Sequence, residues 1–303
     1  METYQTPAIE LSQPFDPTLI IPLQHKLHLH PLLQLPRLVA LGARLEKLGS
    51  VRRHNDQAKE GTSFHHAPDT NPAAIGVEQA LAKIEDAHVW MSLLNVQQDL
   101  EYRTLVDEVL DSVRPLVDPR DPGMCFRAGW IFITSPRAIT PFHMDTENSF
   151  FFHISGAKTF HAWDPADREV LSEEALEQFH GEYKRDRAIY KESFLSRSRP
   201  FDFKPGEGAF MPVTAPHMVR NGDAPSISMS CTYYSDRTRR LRRIYSGNHR
   251  LRNLGLKPRA VGEAPLLDSA KSAAVGLVQK GKQAARAIRG RDPLSDAVRY
   301  ARP

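Results

Sequence analysis

From residue 130 to residue 234 the chain is a series of short apolar and aromatic runs, each closed by residues that turn a backbone, and this punctuation restricts its fold more than anything else. Trp130-Ile131-Phe132-Ile133-Thr134, Phe150-Phe151-Phe152-His153-Ile154 and Lys158-Thr159-Phe160-His161-Ala162-Trp163 have the length and composition of strands. Ser155-Gly156-Ala157, between the last two, is a turn signal consistent with a hairpin. Pro205-Gly206-Glu207-Gly208 turns into Ala209-Phe210-Met211-Pro212, and His217-Met218-Val219 leads into the turn Asn221-Gly222-Asp223. A final alternating run extends from Ile227 to Tyr234. Short antiparallel strands joined by tight turns predict a small barrel or sandwich.

Within this region His143-Met144-Asp145 is followed, 72 residues after the aspartate, by His217. Residues two apart on a strand share a face, so His143 and Asp145 are expected to point together into a barrel interior. Two imidazoles and one carboxylate on one face of a metal leave the opposite face open, the facial triad of non-haem Fe(II) oxygenases. Any one of the three alone is ordinary; the set makes a metal site the reading.

The run Ile139-Thr140-Pro141-Phe142-His143-Met144-Asp145, then Phe150-Phe151, Gly156, Lys158, Pro205-Gly206-Glu207 and His217, resembles the cupin-like branch of the JmjC proteins, over about residues 120 to 236. These are double-stranded β-helix oxygenases dependent on Fe(II) and 2-oxoglutarate, and the asparaginyl hydroxylase of the hypoxia response is a related member. The resemblance implies a mainly β double-stranded β-helix (cupin/jelly-roll) barrel with helical additions. It makes His143, Asp145 and His217 the iron ligands. It also makes Lys158, thirteen residues after Asp145, the partner of the distal carboxylate of 2-oxoglutarate, with Thr140 donating to the same group. A buried carboxylate needs such a cation. Where the asparaginyl hydroxylase has an asparagine four residues after its aspartate, Ser149 stands here with Asn148 beside it, and Asn148 is kept as a third cosubstrate candidate.

The rest of the chain is read as additions to that barrel. Residues 1 to 119 are expected to be helical with loops and to pack beside it: Leu32 to Leu48, Ile75 to Ile84 and Asp99 to Val117 have helical apolar spacing, Val51-Arg52-Arg53 is a short strand, and Asn55 to Asn71 is a loop. A charged insertion at about 165–200, helical from Glu169 to Lys191, separates the triad's halves and reads more simply as a solvated helix than as a cover. Phe142, Phe150, Phe152, Phe160 and Trp163 are wall or core aromatics, while His153 and His161 are structural or surface histidines. His25, His28, His30, His65 and His66 lack cysteine partners, so a zinc site is disfavoured and an entrance or loop role preferred. The two cysteines, Cys125 and Cys231, give no disulfide framework and fit buried strand positions. Met1-Glu2-Thr3-Tyr4 does not begin a secretory signal, no apolar stretch spans a membrane, and a reducing, cytoplasmic setting fits both cysteines and Fe(II).

Charge is uneven. Residues 237–303 hold 17 Lys and Arg against 4 Asp and Glu, a surplus of +13, whereas the preceding 236 residues hold 23 against 32, a deficit of −9. This basic extension, with an Ala-rich helix expected from Ser269 to Arg289 and loose order past about residue 262, suits an anionic partner or a second subunit. Nucleic acid is disfavoured because no aromatic interleaving or reading motif accompanies the charge. Two functions of different class follow. One is an Fe(II)/2-oxoglutarate-dependent oxygenase consuming dioxygen, which hydroxylates a protein side chain or small metabolite and releases succinate and CO2. Demethylation is a less favoured subset, since nothing suggests a methyl-lysine cage. The alternative is a non-catalytic ligand-binding barrel whose basic tail is its working part. The oligomeric state is left open by the sequence, with a homodimer one option because helices flanking the barrel often mediate dimers in related proteins.

Overall fold

A computed structural model describes residues 8–185 and 187–288. Twelve strands among the described residues form two antiparallel sheets. The larger has the order β1 (Ile9–Leu11), β2 (Ile21–His25), β10 (Glu207–Met211), β7 (Asn148–Ser155), β12 (Ser226–Tyr234), β5 (Cys125–Thr134), β4 (Val89–Leu93), β3 (Val51–Asn55). The smaller is β6 (Ile139–His143), β11 (His217–Asn221), β8 (Lys158–Ala162), β9 (Arg199–Phe203). From β5 onward the chain passes from one sheet to the other at nearly every turn, which is the double-stranded β-helix.

That alternation corrects one expectation. Ser155-Gly156-Ala157 does not close a hairpin, because β7 and β8 belong to different sheets. The turn lifts the chain between layers, with Gly156 at φ +82° and so close to the Pro225 carbonyl that a Cβ would sit 2.2 Å from its oxygen. The same crossing occurs from β9 to β10, with Gly206 at φ +95°, and from β11 to β12 through Asn221-Gly222-Asp223.

Pleating gives the larger sheet two chemically different faces. Ile131, Ile133, Phe150, Phe152, Phe210, Met229, Cys231 and Tyr233 enter the main core beneath the helices. The intervening residues Phe132, Thr134, Ser149, Phe151, Met211, Ser228 and Ser230 face the smaller sheet across a cavity. Helix α4 (Leu100–Val117) covers the core face with Tyr102, Leu105, Val106, Val109, Leu110, Val113 and Val117, a stripe at helical spacing that is sealed at its start by the Asp99 carboxylate accepting from the Glu101 amide. Helices α1 (Leu35–Lys47), α2 (Ala67–Thr70) and α3 (Val77–Ala82) lie between the N-terminal strands. Val51–Asn55 is the expected strand, but β1, β2 and β4 extend the larger sheet well into a segment read from sequence as helix and loop.

The insertion's α-helix runs only from Glu173 to Glu182 (α5), where Tyr183 takes a left-handed conformation at φ 60° and ends it short of Lys191; a 3-10 helix follows at Glu192–Arg197. The insertion is not a solvated helix, because α5 packs on α6 (Asp236–Asn253) and its buried Glu177 carboxylate accepts from Arg252 at 2.6 Å and 3.1 Å. Helix α7 (Pro265–Ile288) then packs on α6, where Lys271 donates to Asn248 at 2.7 Å and Arg243 to Ser272 at 3.0 Å. Helical order therefore continues past residue 262, against expectation, and part of the basic charge is used inside the fold. The expected helix end at Arg289, with Gly290 and Pro293, lies outside the described residues. No helix among the described residues is long and apolar enough to cross a membrane.

Candidate metal centre

His143 closes β6 and His217 opens β11, and these strands are paired so that the two residues stand opposite each other. Asp145 follows β6 by two residues. The three side chains each offer a ligand atom within 4.8 Å of the others, and they form the only such His/Cys/Asp/Glu group among the described residues. Nε2 of His143 lies 3.9 Å and Nε2 of His217 lies 3.7 Å from the same Asp145 oxygen. Atoms bound about 2.1 Å from one common ion lie roughly 3 to 4 Å apart, so the set is dimensioned for a first-row metal.

The ring nitrogens are prepared for that role. His143 donates from Nδ1 to the Pro141 carbonyl at 2.8 Å, and His217 donates from Nδ1 to the Ala215 carbonyl at 3.0 Å. A carbonyl accepts only, so both rings carry their proton on Nδ1 and present the Nε2 lone pair to the site. Burial holds both imidazoles below their usual pKa. Burial alone would raise the Asp145 carboxyl, but the two imidazoles and Arg185 outweigh it and hold it low. Asp145 is enclosed except on one side, where its side chain keeps 39% exposure. That side is a cleft. Arg185, from the insertion, donates to the Asp145 carboxylate at 3.2 Å and to the Met144 carbonyl at 2.9 Å.

Two cavities meet at the triad. The inner one, about 640 Å³ with its opening, lies between the sheets and is lined by Thr140, Lys158, Phe151, Phe160, Val219 and Ser228 among others. Lys158 opens β8 and points inward. Its ammonium donates to Ser228 at 2.9 Å and lies 5.6 Å from the Phe151 ring centre, without an ion pair among the described residues. Burial lowers its pKa from 10.5 to about 7. Thr140 accepts from the Trp90 indole at 2.8 Å, which leaves its hydroxyl proton for the cavity. Phe160 stacks on His217 at 5.2 Å between ring centres.

Asn148 is elsewhere. Its amide donates to Asp121 at 2.8 Å and accepts from the Val213 amide at 3.0 Å, wholly buried on the core face of β7. A one-residue offset on a strand changes face, so Ser149, not Asn148, lines the cavity. The same parity puts Phe151 in the wall and Phe150 and Phe152 in the core, while Phe142 and Trp163 pack with Phe194 in a separate cluster. His153 and His161 bond to Gly156 and Ser198, and His25 packs on Phe152.

The outer cavity, about 1780 Å³ with its open mouth, was largely invisible to sequence reasoning. Arg52, Phe64, Trp90, Trp130, Glu147 and Arg185 line it. Phe64, in the predicted loop, stacks on His143 with 3.8 Å between ring centres and planes 1° apart. Glu147 is buried and its carboxylate accepts from the Tyr234 hydroxyl at 3.0 Å. Of the histidines given an entrance or loop role, His65 is on this wall.

The chain matches no protein-family model, and no curated protein matches it. Among solved structures, YcfD from Escherichia coli, described as a ribosomal oxygenase, is similar over 90% of this chain and 62% of that one, at 14% identity and TM-score 0.38. A second structure of YcfD gives 91%, 64%, 13% and 0.40. DMSP lyase DddQ from Ruegeria pomeroyi is similar over 36% of this chain and 38% of that one, at 16% identity and TM-score 0.24. The chain spans less than two thirds of the length of each.

Proposed function

We propose that this protein is an Fe(II)- and 2-oxoglutarate-dependent oxygenase that hydroxylates a protein side chain or a small metabolite, with release of succinate and CO2. One observation carries the reading: a facial His143, Asp145, His217 set and a buried lysine without a counter-charge share one cavity between the sheets. Either feature alone has ordinary explanations. Together they supply a metal seat with an open side and, further in, a cation suited to the far carboxylate of a chelating dicarboxylate.

In this reading His143, Asp145 and His217 hold the iron, while Lys158 and Thr140 take the distal carboxylate. Iron with bound 2-oxoglutarate would supply the oxidative decarboxylation that drives C–H hydroxylation. The chain's own contribution is placement. Pro141 and Ala215 carbonyls fix the imidazole tautomers, and Arg185 keeps the aspartate ionised and oriented. Phe151, Phe160 and Val219 give the inner cavity an apolar wall, and the cleft above the triad admits the substrate.

Release of CO2 from 1-labelled 2-oxoglutarate by the full chain tests the proposal. Slow release that requires Fe(II), and that stops in Asp145→Ala, supports it. A folded, iron-supplied protein that neither binds nor decarboxylates 2-oxoglutarate would leave the ligand-binding barrel as the better account.

A further inference from the structure

Helix α7 turns one face to α6 and an apolar face to solvent. Asp268, Ser272 and Val275 recur at helical spacing and are buried, with Val275 beside Gly247 of α6 and Ser272 accepting from Arg243. On the opposite face Leu266, Ala270, Ala273, Leu277 and Ala284 follow the same spacing and are exposed. Leu266 keeps 88% of its surface exposed and Leu277 keeps 71%, so both stand clear of their neighbours. Among the exposed side chains described on this helix, only those of Ser269, Lys280 and Lys282 are polar. From Leu266 to Ala284 the stripe is about 27 Å long at the rise of an α-helix. A helix on a protein surface ordinarily shows water its polar side, and a continuous apolar face there marks a place of contact.

The charge beside the stripe has one sign. Asp268 is buried and paired with Lys271 at 2.7 Å, so it brings no negative charge to the outer surface. Lys280 and Lys282 project from either side of the stripe and have no ion pair among the described residues. The partner must therefore accept leucines that stand proud of the surface and supply anions on their flanks. An anionic lipid surface does both, with acyl chains for the leucines and headgroups for the ammonium groups. Nucleic acid supplies only phosphates and would leave the stripe in water. A second copy of α7 would cover the stripe but bring like charges together.

We propose that α7 is a membrane-surface helix. It lies flat on an anionic bilayer with the Leu266 and Leu277 face in the acyl boundary and with Lys280 and Lys282 among the headgroups. The helix rests on the bilayer without crossing it, since no helix among the described residues is long and apolar enough to span. The surface is separate from the metal centre, so the proposal stands whether or not the oxygenase reading holds.

The test is co-sedimentation of the full chain with vesicles of phosphatidylcholine and with vesicles of phosphatidylcholine mixed with phosphatidylserine. The expected result is saturable binding to the mixed vesicles that weakens as salt rises, with little binding to phosphatidylcholine alone. Leu266→Ser with Leu277→Ser should weaken binding by at least about tenfold, because two projecting leucines no longer enter the acyl boundary. Lys280→Glu with Lys282→Glu should remove the preference for phosphatidylserine. Leu100→Ser, at a leucine of α4 that is 73% exposed, should bind like wild type. All these side chains are exposed, and circular dichroism of each variant should match wild type. No binding to the mixed vesicles, equal binding to both kinds, or binding that survives loss of the two leucines overturns the proposal. So does a lipid-free dimer, seen by sedimentation equilibrium and dissolved by the leucine substitutions, which would assign the stripe to a second copy.

Discussion

Lys158 offers the sharpest quantitative expectation, because its ammonium is buried with only Ser228 as a hydrogen-bond partner and its pKa falls to about 7. If this cation receives the distal carboxylate of 2-oxoglutarate, only the protonated form binds well. Above pH 7 the free protein must take up a proton on binding, so affinity should fall about tenfold per pH unit, or roughly fiftyfold between pH 7 and pH 9. Below pH 7 the lysine is already charged and affinity should level off. The assay is anaerobic titration of the iron-loaded protein with 2-oxoglutarate across that range. Pyruvate, a 2-oxo acid without the distal carboxylate, serves as the control and should show no such slope. Stability supplies an independent check. Below pH 7 the lysine is protonated in both folded and unfolded states, and the folded state bears the whole cost of burying the charge. Between pH 7 and 10.5 the unfolded state holds the extra proton, so the cost fades and stability rises with pH. Lys158→Met should therefore stabilise the ligand-free protein at pH 6 to 7 by up to about 4 kcal/mol, an advantage shrinking at higher pH, while weakening 2-oxoglutarate binding. A flat affinity from pH 7 to pH 9, or a Lys158→Met variant that binds 2-oxoglutarate normally, would refute the reasoning.

Other expectations follow from single contacts. His217→Ala should lose tight Fe(II) binding, measured by equilibrium dialysis, while circular dichroism stays unchanged; retained binding would break the triad. Asn148→Ala should cost about 2–4 kcal/mol in denaturant unfolding, since it strands the Val213 amide and an Asp121 oxygen, yet leave 2-oxoglutarate affinity as it was. A loss of affinity without loss of stability would return Asn148 to the cosubstrate. Gly156→Ala should destabilise by about 3 kcal/mol or more, because it combines a left-handed backbone with overlap on the Pro225 carbonyl; thermal unfolding within a degree of wild type would contradict this.

The parts of the site that could be read from sequence are those whose geometry is local. Extended chain places residues two apart on one side, so His143 and Asp145 are legible together even though β6 ends at His143 and Asp145 lies just beyond it, and the tight turn before Lys158 limits where β8 can begin. Parity along β7 was not legible. Four consecutive residues from Ser149 to Phe152 have no alternation in hydropathy, so nothing in the chain says that Ser149 faces the cavity and Asn148 the core. Strand β4 hides for a related reason: Val89–Leu93 is buried on both faces, and its apolar run lacks the period of two. Strand β2 does alternate, with Ile21, Leu23 and His25 buried, but Pro22 disguises it. Arg52, Phe64 and Arg185 reach the metal centre from an outer strand, a loop and the segment after α5, which are separated widely in sequence and meet only through tertiary packing.

The central claim, a facial triad that seats iron next to a 2-oxoglutarate pocket, is tested most directly by anaerobic addition of Fe(II) and then 2-oxoglutarate to the apoprotein. The readout is the weak visible charge-transfer absorption of the chelated complex. The account predicts a band in wild type that saturates with one equivalent of iron and is absent in Asp145→Ala. A folded wild-type protein with no band, or a band that persists in Asp145→Ala, would contradict it.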